Sequence, residues 1–103
     1  MKESPAKTVE KAMQWLEDNK EAAAYMFALA EREAESGRHF SFRLIAERTR
    51  ARDFGTIKSG TFKLPNEFAP IFTRVFLKQH PEARPFVSLR KSKFDAAMQE
   101  RGL

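Results

Sequence analysis

The sequence predicts a small, mainly α-helical domain of about five helices with one possible short β-hairpin. Apolar residues recur at helical spacing in several separate stretches. Ser, Asn and Pro stand where such stretches begin, as is typical of helix N-termini. Residues 56–64 alternate between apolar and polar around Ser59-Gly60, a hairpin pattern, although an irregular loop remains the alternative. A helix, a hairpin and a further helix in this order indicate a variant winged-helix or helix-turn-helix domain.

Length and composition limit the classes of protein that the chain can belong to. Its 103 residues suit a single domain spanning 1–103. The absence of Cys excludes disulfides, thiol catalysis and Cys-based zinc sites. No apolar run approaches the ~18 residues of a membrane helix, and residues 1–10 show no apolar signal region. We therefore expect a soluble cytoplasmic protein with no membrane partner.

The first 37 residues predict an acidic pair of helices. Ser4 and Pro5 resemble an N-cap followed by proline at the first helical position. A second helix is expected to begin at Lys20, after Asp18-Asn19, and to end at Gly37. Trp15 lies off the apolar stripe of the first helix, so we expect it to contact another element. The predicted buried stripes are Val9, Ala12, Met13, Leu16 and then Ala23, Met26, Phe27, Ala30, Ala34.

A cationic helix is predicted over residues 42–53, within a basic portion that spans 38–103. Ser41 is its expected N-cap, and Phe40 and Ile45 have the spacing of a hydrophobic staple. Several arginines lie on its predicted outer faces: Arg43, Arg48, Arg50 and Arg52.

A strongly apolar helix follows after Asn66, which is its predicted N-cap. Pro70 is better accommodated by a short turn at 66–69 and a helix from Pro70 onward. Beyond His80-Pro81 the pattern leaves two alternatives. One is a helical stripe running from Phe86 to Gln99, and the other is a helix restarted by a capping box of Ser92 and Asp95.

The positive charge is concentrated in the basic portion of the chain. Residues 1–36 hold five basic and eight acidic residues, whereas 37–103 hold 14 basic and six acidic residues. The overall net charge of +5 is thus a sum of −3 and +8. Such a one-sided field attracts polyanions, although a merely solvated helix surface has the same composition.

No pattern of residues indicates catalysis, so we expect a protein that is not an enzyme and uses no cofactor or metal. The four glycines are isolated and form no phosphate-binding loop. His39 and His80 are far apart in sequence, and neither has metal-ligand spacing with Asp or Glu.

The residues most suited to nucleic-acid binding are the cations of the basic portion together with Asn66. The cations would neutralise phosphates, and Asn66 is the best candidate for contact with a base. The candidate residues are Arg43, Arg48, Arg50, Arg52, Lys58, Lys63, Asn66, Arg74 and Lys78, with Arg90, Lys91 and Lys93 as a second patch.

Several short motifs between residues 38 and 90 carry a resemblance. They are Arg38-His39-Phe40-Ser41-Phe42-Arg43-Leu44-Ile45, Phe62-Lys63-Leu64-Pro65-Asn66-Glu67-Phe68-Ala69-Pro70, Arg74, His80-Pro81-Glu82 and Ser88-Leu89-Arg90. Over about half of its length the chain resembles a group of small phage and prophage proteins with the pattern H-F-S-x-R-L, F-K-[IL]-x-N-x-x-A-P, R and H-P-E. Pro65, Glu67 and Thr73 depart from that pattern. The resemblance implies a mobile-element protein that acts inside a bacterial cell.

Two hypotheses follow. The first is a phage- or prophage-type DNA-binding protein that uses a basic helix and wing on phosphates. The alternative is a protein-binding inhibitor or modulator of a host nucleic-acid-handling or defence complex, for example an anti-CRISPR-like protein. Either function is compatible with a homodimer.

Overall fold

The computed structural model describes residues 4–52 and 64–102. Over these residues the chain forms five α-helices and two 3₁₀ helices, so the predicted mainly helical fold is confirmed. The α-helices are α1 (Pro5–Asp18), α2 (Lys20–Glu35), α3 (Phe42–Ala51), α4 (Ala69–Gln79) and α5 (Asp95–Glu100). The 3₁₀ helices are Asn66–Phe68 and Pro81–Phe86.

The first two helices begin where the sequence predicts. The Ser4 hydroxyl oxygen accepts a hydrogen bond from the Lys7 amide at 3.3 Å, and Pro5 occupies the first turn of α1. Asn19 occupies the N-cap position of α2 but makes no capping bond with its side chain. Its amide group instead donates to the Trp15 carbonyl oxygen at 3.0 Å.

A pair of backbone hydrogen bonds ties the start of the basic portion to a distant segment. Gly37 has a φ of +74°, a left-handed conformation that suits glycine at the end of α2. The Phe40 amide donates to the Phe86 carbonyl at 2.8 Å, and the Ser88 amide donates to the Phe40 carbonyl at 2.9 Å. This contact is an isolated parallel bridge between Phe40 and Val87. It holds the N-terminus of α3 against the chain that follows the second 3₁₀ helix.

The starts of α3 and α4 differ in how well the sequence predicts them. Ser41 caps α3, since its hydroxyl oxygen accepts from the Leu44 amide at 3.3 Å. A short turn precedes α4, and Pro70 lies in the first turn of that helix, as expected. The predicted N-cap role of Asn66 is wrong. Pro65 occupies the cap position of the 3₁₀ helix, and the Asn66 side chain is drawn instead to a guanidinium group on α3.

Aromatic side chains from α1, α2, α3 and α4 form the centre of the core. The Phe42 and Phe76 rings lie 5.4 Å apart between centroids, and Phe27 lies 5.9 Å from Phe42. Trp15, only 8% exposed, contacts Phe72 at 5.7 Å, which confirms that it packs on another element. Tilted aromatic pairs of this kind contribute ~0.5–1.5 kcal/mol each beyond the burial of their area.

The chain reaches α5 through a capping box rather than through one continuous helix. The Ser92 amide donates to Asp95 Oδ2 at 3.0 Å, and the Phe94 amide donates to Ser92 Oγ at 3.1 Å. These reciprocal bonds satisfy amides that a helix N-terminus leaves unpaired. The second alternative from the sequence is therefore the observed one.

The predicted hairpin falls almost entirely on residues 53–63, outside the described residues, so the hairpin and the winged-helix detail stay predictions. Within 4–52 and 64–102 there is no strand beyond the isolated Phe40–Val87 bridge. No helix in these two ranges is long and apolar enough to cross a membrane.

Candidate functional site

An open groove of about 780 Å³ lies between three parts of the basic portion. The start of α3 forms one wall, and the first 3₁₀ helix and the first turns of α4 form the floor. The segment 88–94 forms the opposite wall. The Phe40–Val87 bridge fixes the two walls relative to each other, since Ser41 and Ser88 directly follow the bridged residues. We call this hollow the basic groove.

Positive charge dominates the lining of the basic groove. One of the lining residues, Glu67, is acidic, whereas five are basic. The basic residues are Arg43, Arg74, Arg90, Lys91 and Lys93. The structure thus brings together cations that the sequence placed in two separate patches.

Arg74 lies at the floor of the groove and holds its parts together. Its side chain is only 13% exposed, although the sequence predicts an outward orientation. The guanidinium donates to Asp95 Oδ1 at 2.5 Å, to the Pro70 carbonyl at 2.7 Å and to the Arg90 carbonyl at 2.5 Å. One side chain therefore links α4, α5 and the segment 88–94.

Asp95 is the carboxylate that completes this network. Its pKa is held below the usual range, chiefly because the Ser92 backbone amide donates a hydrogen bond to it. The hydrogen bond from Arg74 and the positive charges of Arg74 and Lys91 act in the same direction. Asp95 is therefore ionised at neutral pH, when it stabilises both the capping box and the Arg74 guanidinium.

Four side chains form what we call the groove rim. Arg43, Arg90 and Lys91 make no side-chain hydrogen bond or ion pair with the residues that the structure describes, and all three are exposed. Lys93 is also exposed, with its ammonium nitrogen 5.4 Å from the centroid of the Phe94 ring. These cations are available for an anionic ligand.

Two of the predicted phosphate-binding arginines contact α2 instead of lining the groove. Arg48 Nη1 lies 3.1 Å from Glu33 Oε1, an ion pair that explains why acidic residues are found near the C-terminus of α2. The Arg52 guanidinium carbon lies 4.7 Å from the centroid of the Tyr25 ring, within the range of a cation–π interaction.

Arg50 is half-buried and acts within the protein. Its Nε donates to the Leu64 carbonyl at 2.9 Å, and its Nη2 donates to Asn66 Oδ1. Asn66 lines the groove, but the acceptor oxygen of its side chain is used by Arg50. Among the other candidates, Lys78 donates from Nζ to the Gly102 carbonyl. Lys58 and Lys63 lie outside the described residues.

The histidines do not contribute to the basic groove. His39 is exposed. His80 lines a separate hollow of about 170 Å³, with Nε2 3.2 Å from Glu31 Oε1 and Nδ1 3.3 Å from Glu82 Oε1. No group of three or more His, Cys, Asp or Glu residues in the described ranges is placed to hold a metal ion.

Sequence reasoning missed some of the groove. Ser88 and Glu67 line it, and Ser41 does so besides capping α3. These residues come from three separate stretches and share no local motif. Their proximity depends on the bridge between Phe40 and Val87, which has no counterpart in the periodicity of the sequence.

No protein-family model matches the chain, and searches of curated proteins and of solved structures give no significant match either.

Proposed function

We propose that this chain is a DNA-binding protein that acts without catalysis, through the basic groove. The observation that carries the proposal is the convergence of five cations and a single carboxylate on one open groove. Nucleic acids are the polyanions best suited to such a surface, because each neutralised phosphate releases condensed counterions.

The position of Arg43 supports a role outside folding. Arg43 is the second residue of α3, and the partial positive charge at a helix N-terminus disfavours a cation there. Its side chain gains no ion pair from the described residues that would offset this cost. A cation in an unfavourable, exposed position beside a groove is more readily explained by a ligand than by stability.

The test compares Arg43→Glu with Lys7→Glu. Lys7 is also an exposed cation in the first turn of a helix, and α1 contributes no residue to the groove. Both substitutions change the net charge by the same amount, and both leave the fold at least as stable because of the helix dipole. We expect Arg43→Glu to weaken DNA binding at ~50 mM salt by about tenfold or more, and Lys7→Glu to change it little.

Fluorescence anisotropy with labelled DNA measures the affinity, and urea unfolding measures the stability. Equal loss of affinity in the two variants would show that only net charge matters and that the groove is not the site. Absence of binding by the unsubstituted protein at low salt would overturn the function itself.

The phage or prophage context and the wing belong to this proposal. The motifs of residues 38–45 and 62–70 are its only support for context. Lys58 and Lys63 on a wing would extend the cationic surface toward phosphates. Adjacent replication genes in the source genome would favour the DNA-binding function.

One observation favours the alternative of a host protein partner. Leu44 is 43% exposed and follows Arg43 on α3. An apolar side chain beside a cation suits the surface of a protein that itself handles nucleic acid. A partner retained after nuclease treatment of a host lysate, and lost with Leu44→Gln, would support this function. Loss of every captured protein after nuclease treatment would count against it.

A further inference from the structure

The cations of the basic groove surround a hollow instead of projecting from a ridge. Arg43 stands on one wall and Lys93 on the other, with the first turn of α4 between them. At the floor, Ala69 is buried and Pro70 is half-buried, so α4 does not protrude. Proteins that read duplex DNA insert a convex helix or ribbon into a major groove ~12 Å wide. The described surface offers a recess where such a reader presents a projecting element.

Opposed cationic walls suit one flexible chain of phosphates. A single strand can enter a recess and be contacted from both sides, as in proteins that follow a strand with a positively charged groove. The two strands of a duplex are held apart by base pairs, so a recess of about 780 Å³ admits only part of its outer surface.

The apolar lining of the groove does not provide stacking. Phe42 and Phe94 line it, but they are only 2% and 3% exposed. Their ring faces are used by the core, so bases gain little from them. Recognition in this groove therefore depends on phosphates and tolerates any sequence.

Serine hydroxyls supplement the cations. Ser41 and Ser92 accept backbone hydrogen bonds with their oxygens, which leaves each hydroxyl proton able to donate. Ser88 is exposed in the same lining. Hydroxyl donors of this kind contact phosphate oxygens without reading bases.

We propose that the basic groove binds a single nucleic-acid strand through its phosphates, in preference to a duplex. This inference rests on the proposed function and specifies its ligand. Four rim cations are available, namely Arg43, Arg90, Lys91 and Lys93, since the guanidinium of Arg74 is held by the protein. At ~0.7 per phosphate, four contacts give a slope of about −2.8 for log K against log salt concentration.

The experiment compares a labelled oligothymidylate of ~15 nucleotides with a duplex of the same length, by anisotropy over a series of salt concentrations. We expect the single strand to bind at least about tenfold more tightly, with the slope given above. Lys93→Gln should lower the magnitude of that slope by ~0.7, while Lys7→Gln should leave it unchanged.

Three results would overturn the inference. The first is a duplex bound as tightly as the strand. If Arg43→Glu still abolishes this binding, the proposed function stands and only the single-strand preference fails. The second is equal competition by inorganic phosphate at the same phosphate concentration, which would indicate a simple anion site. The third is absence of binding to either nucleic acid, which removes the proposed function as well.

Discussion

Two cationic regions of the molecule differ in what their positive charges contact. In the later part of α3, Arg48 and Arg52 contact α2, and Arg50 is bonded to the chain at residues 64 and 66. On the groove rim the cations face an open hollow. Both regions look alike in the sequence, since each is a short run rich in Arg and Lys. The density of positive charge along a chain therefore does not distinguish cations that stabilise a fold from cations available to a ligand.

The largest effect that separates these classes is expected at Arg74. Replacing Arg74 by Met leaves two carbonyl oxygens and the Asp95 carboxylate without their donor. The expected loss in free energy of unfolding is about 3 kcal/mol, since hydrogen bonds to charged groups contribute ~1.5–3 kcal/mol and a mostly buried pair is broken. Urea unfolding measures this loss.

The matched control is Arg90→Met, the same substitution on the groove rim. Because the Arg90 side chain is exposed, its loss should change stability by less than ~0.5 kcal/mol. Similar destabilisation by the two variants would contradict the distinction between the groove floor and its rim.

A second comparison uses affinity. The double variant Arg90→Met/Lys91→Met removes two rim cations, and Arg48→Met/Arg52→Met removes two cations that contact α2. We expect the first pair to weaken strand binding about tenfold at ~0.1 M salt and to reduce the salt slope by ~1.4, whereas the second pair leaves the slope unchanged. Anisotropy titrations measure both quantities. Equal slopes for the two double variants would show that the arginines of α3 also contact phosphates.

A smaller effect is expected from Arg50→Lys. A single ammonium group on a flexible chain does not reproduce the fork with which Arg50 reaches both Leu64 and Asn66. The variant should lose about 1 kcal/mol of stability, the value of one net hydrogen bond. Arg43→Lys on the rim serves as the control, with no expected change. An Arg50→Lys protein as stable as the parent would assign Arg50 to the solvated cations.

The finest distinction comes from pH. Because the folded protein lowers the pKa of Asp95, this carboxylate adds stability above its unfolded pKa of about 4 and loses that contribution as the pH falls through the folded value. The difference in stability between the parent and Asp95→Asn should therefore be largest at neutral pH and shrink in acid. Thermal unfolding over a pH series measures it, and a difference that does not vary with pH would contradict the Arg74–Asp95 pairing.

Local signals predicted the elements well. Ser4, Ser41 and Gly37 act where their types indicate, because capping depends on a few neighbouring atoms. Helical periodicity also identified the core faces, including the aromatic residues that meet at Phe42 and Phe76.

The groove was less predictable because it depends on tertiary contacts. Asn66 has the residue type of an N-cap, but Arg50 competes for its side chain from another helix. Arg74 has the spacing of an outward residue, but a carbonyl from the segment 88–94 and a carboxylate on α5 draw it inward. Neither competitor is near in sequence, so no local pattern records it.

The bridge between Phe40 and Val87 also affects when the groove forms. Its two backbone bonds close a loop that contains α3 and α4, and closing a long loop costs chain entropy before any contact compensates for it. Contacts between residues so distant in sequence are the slow ones to form during folding. The walls of the groove therefore come together only after the helices that they belong to. Until then a nascent chain presents its rim cations on separate segments, without a shared ligand site.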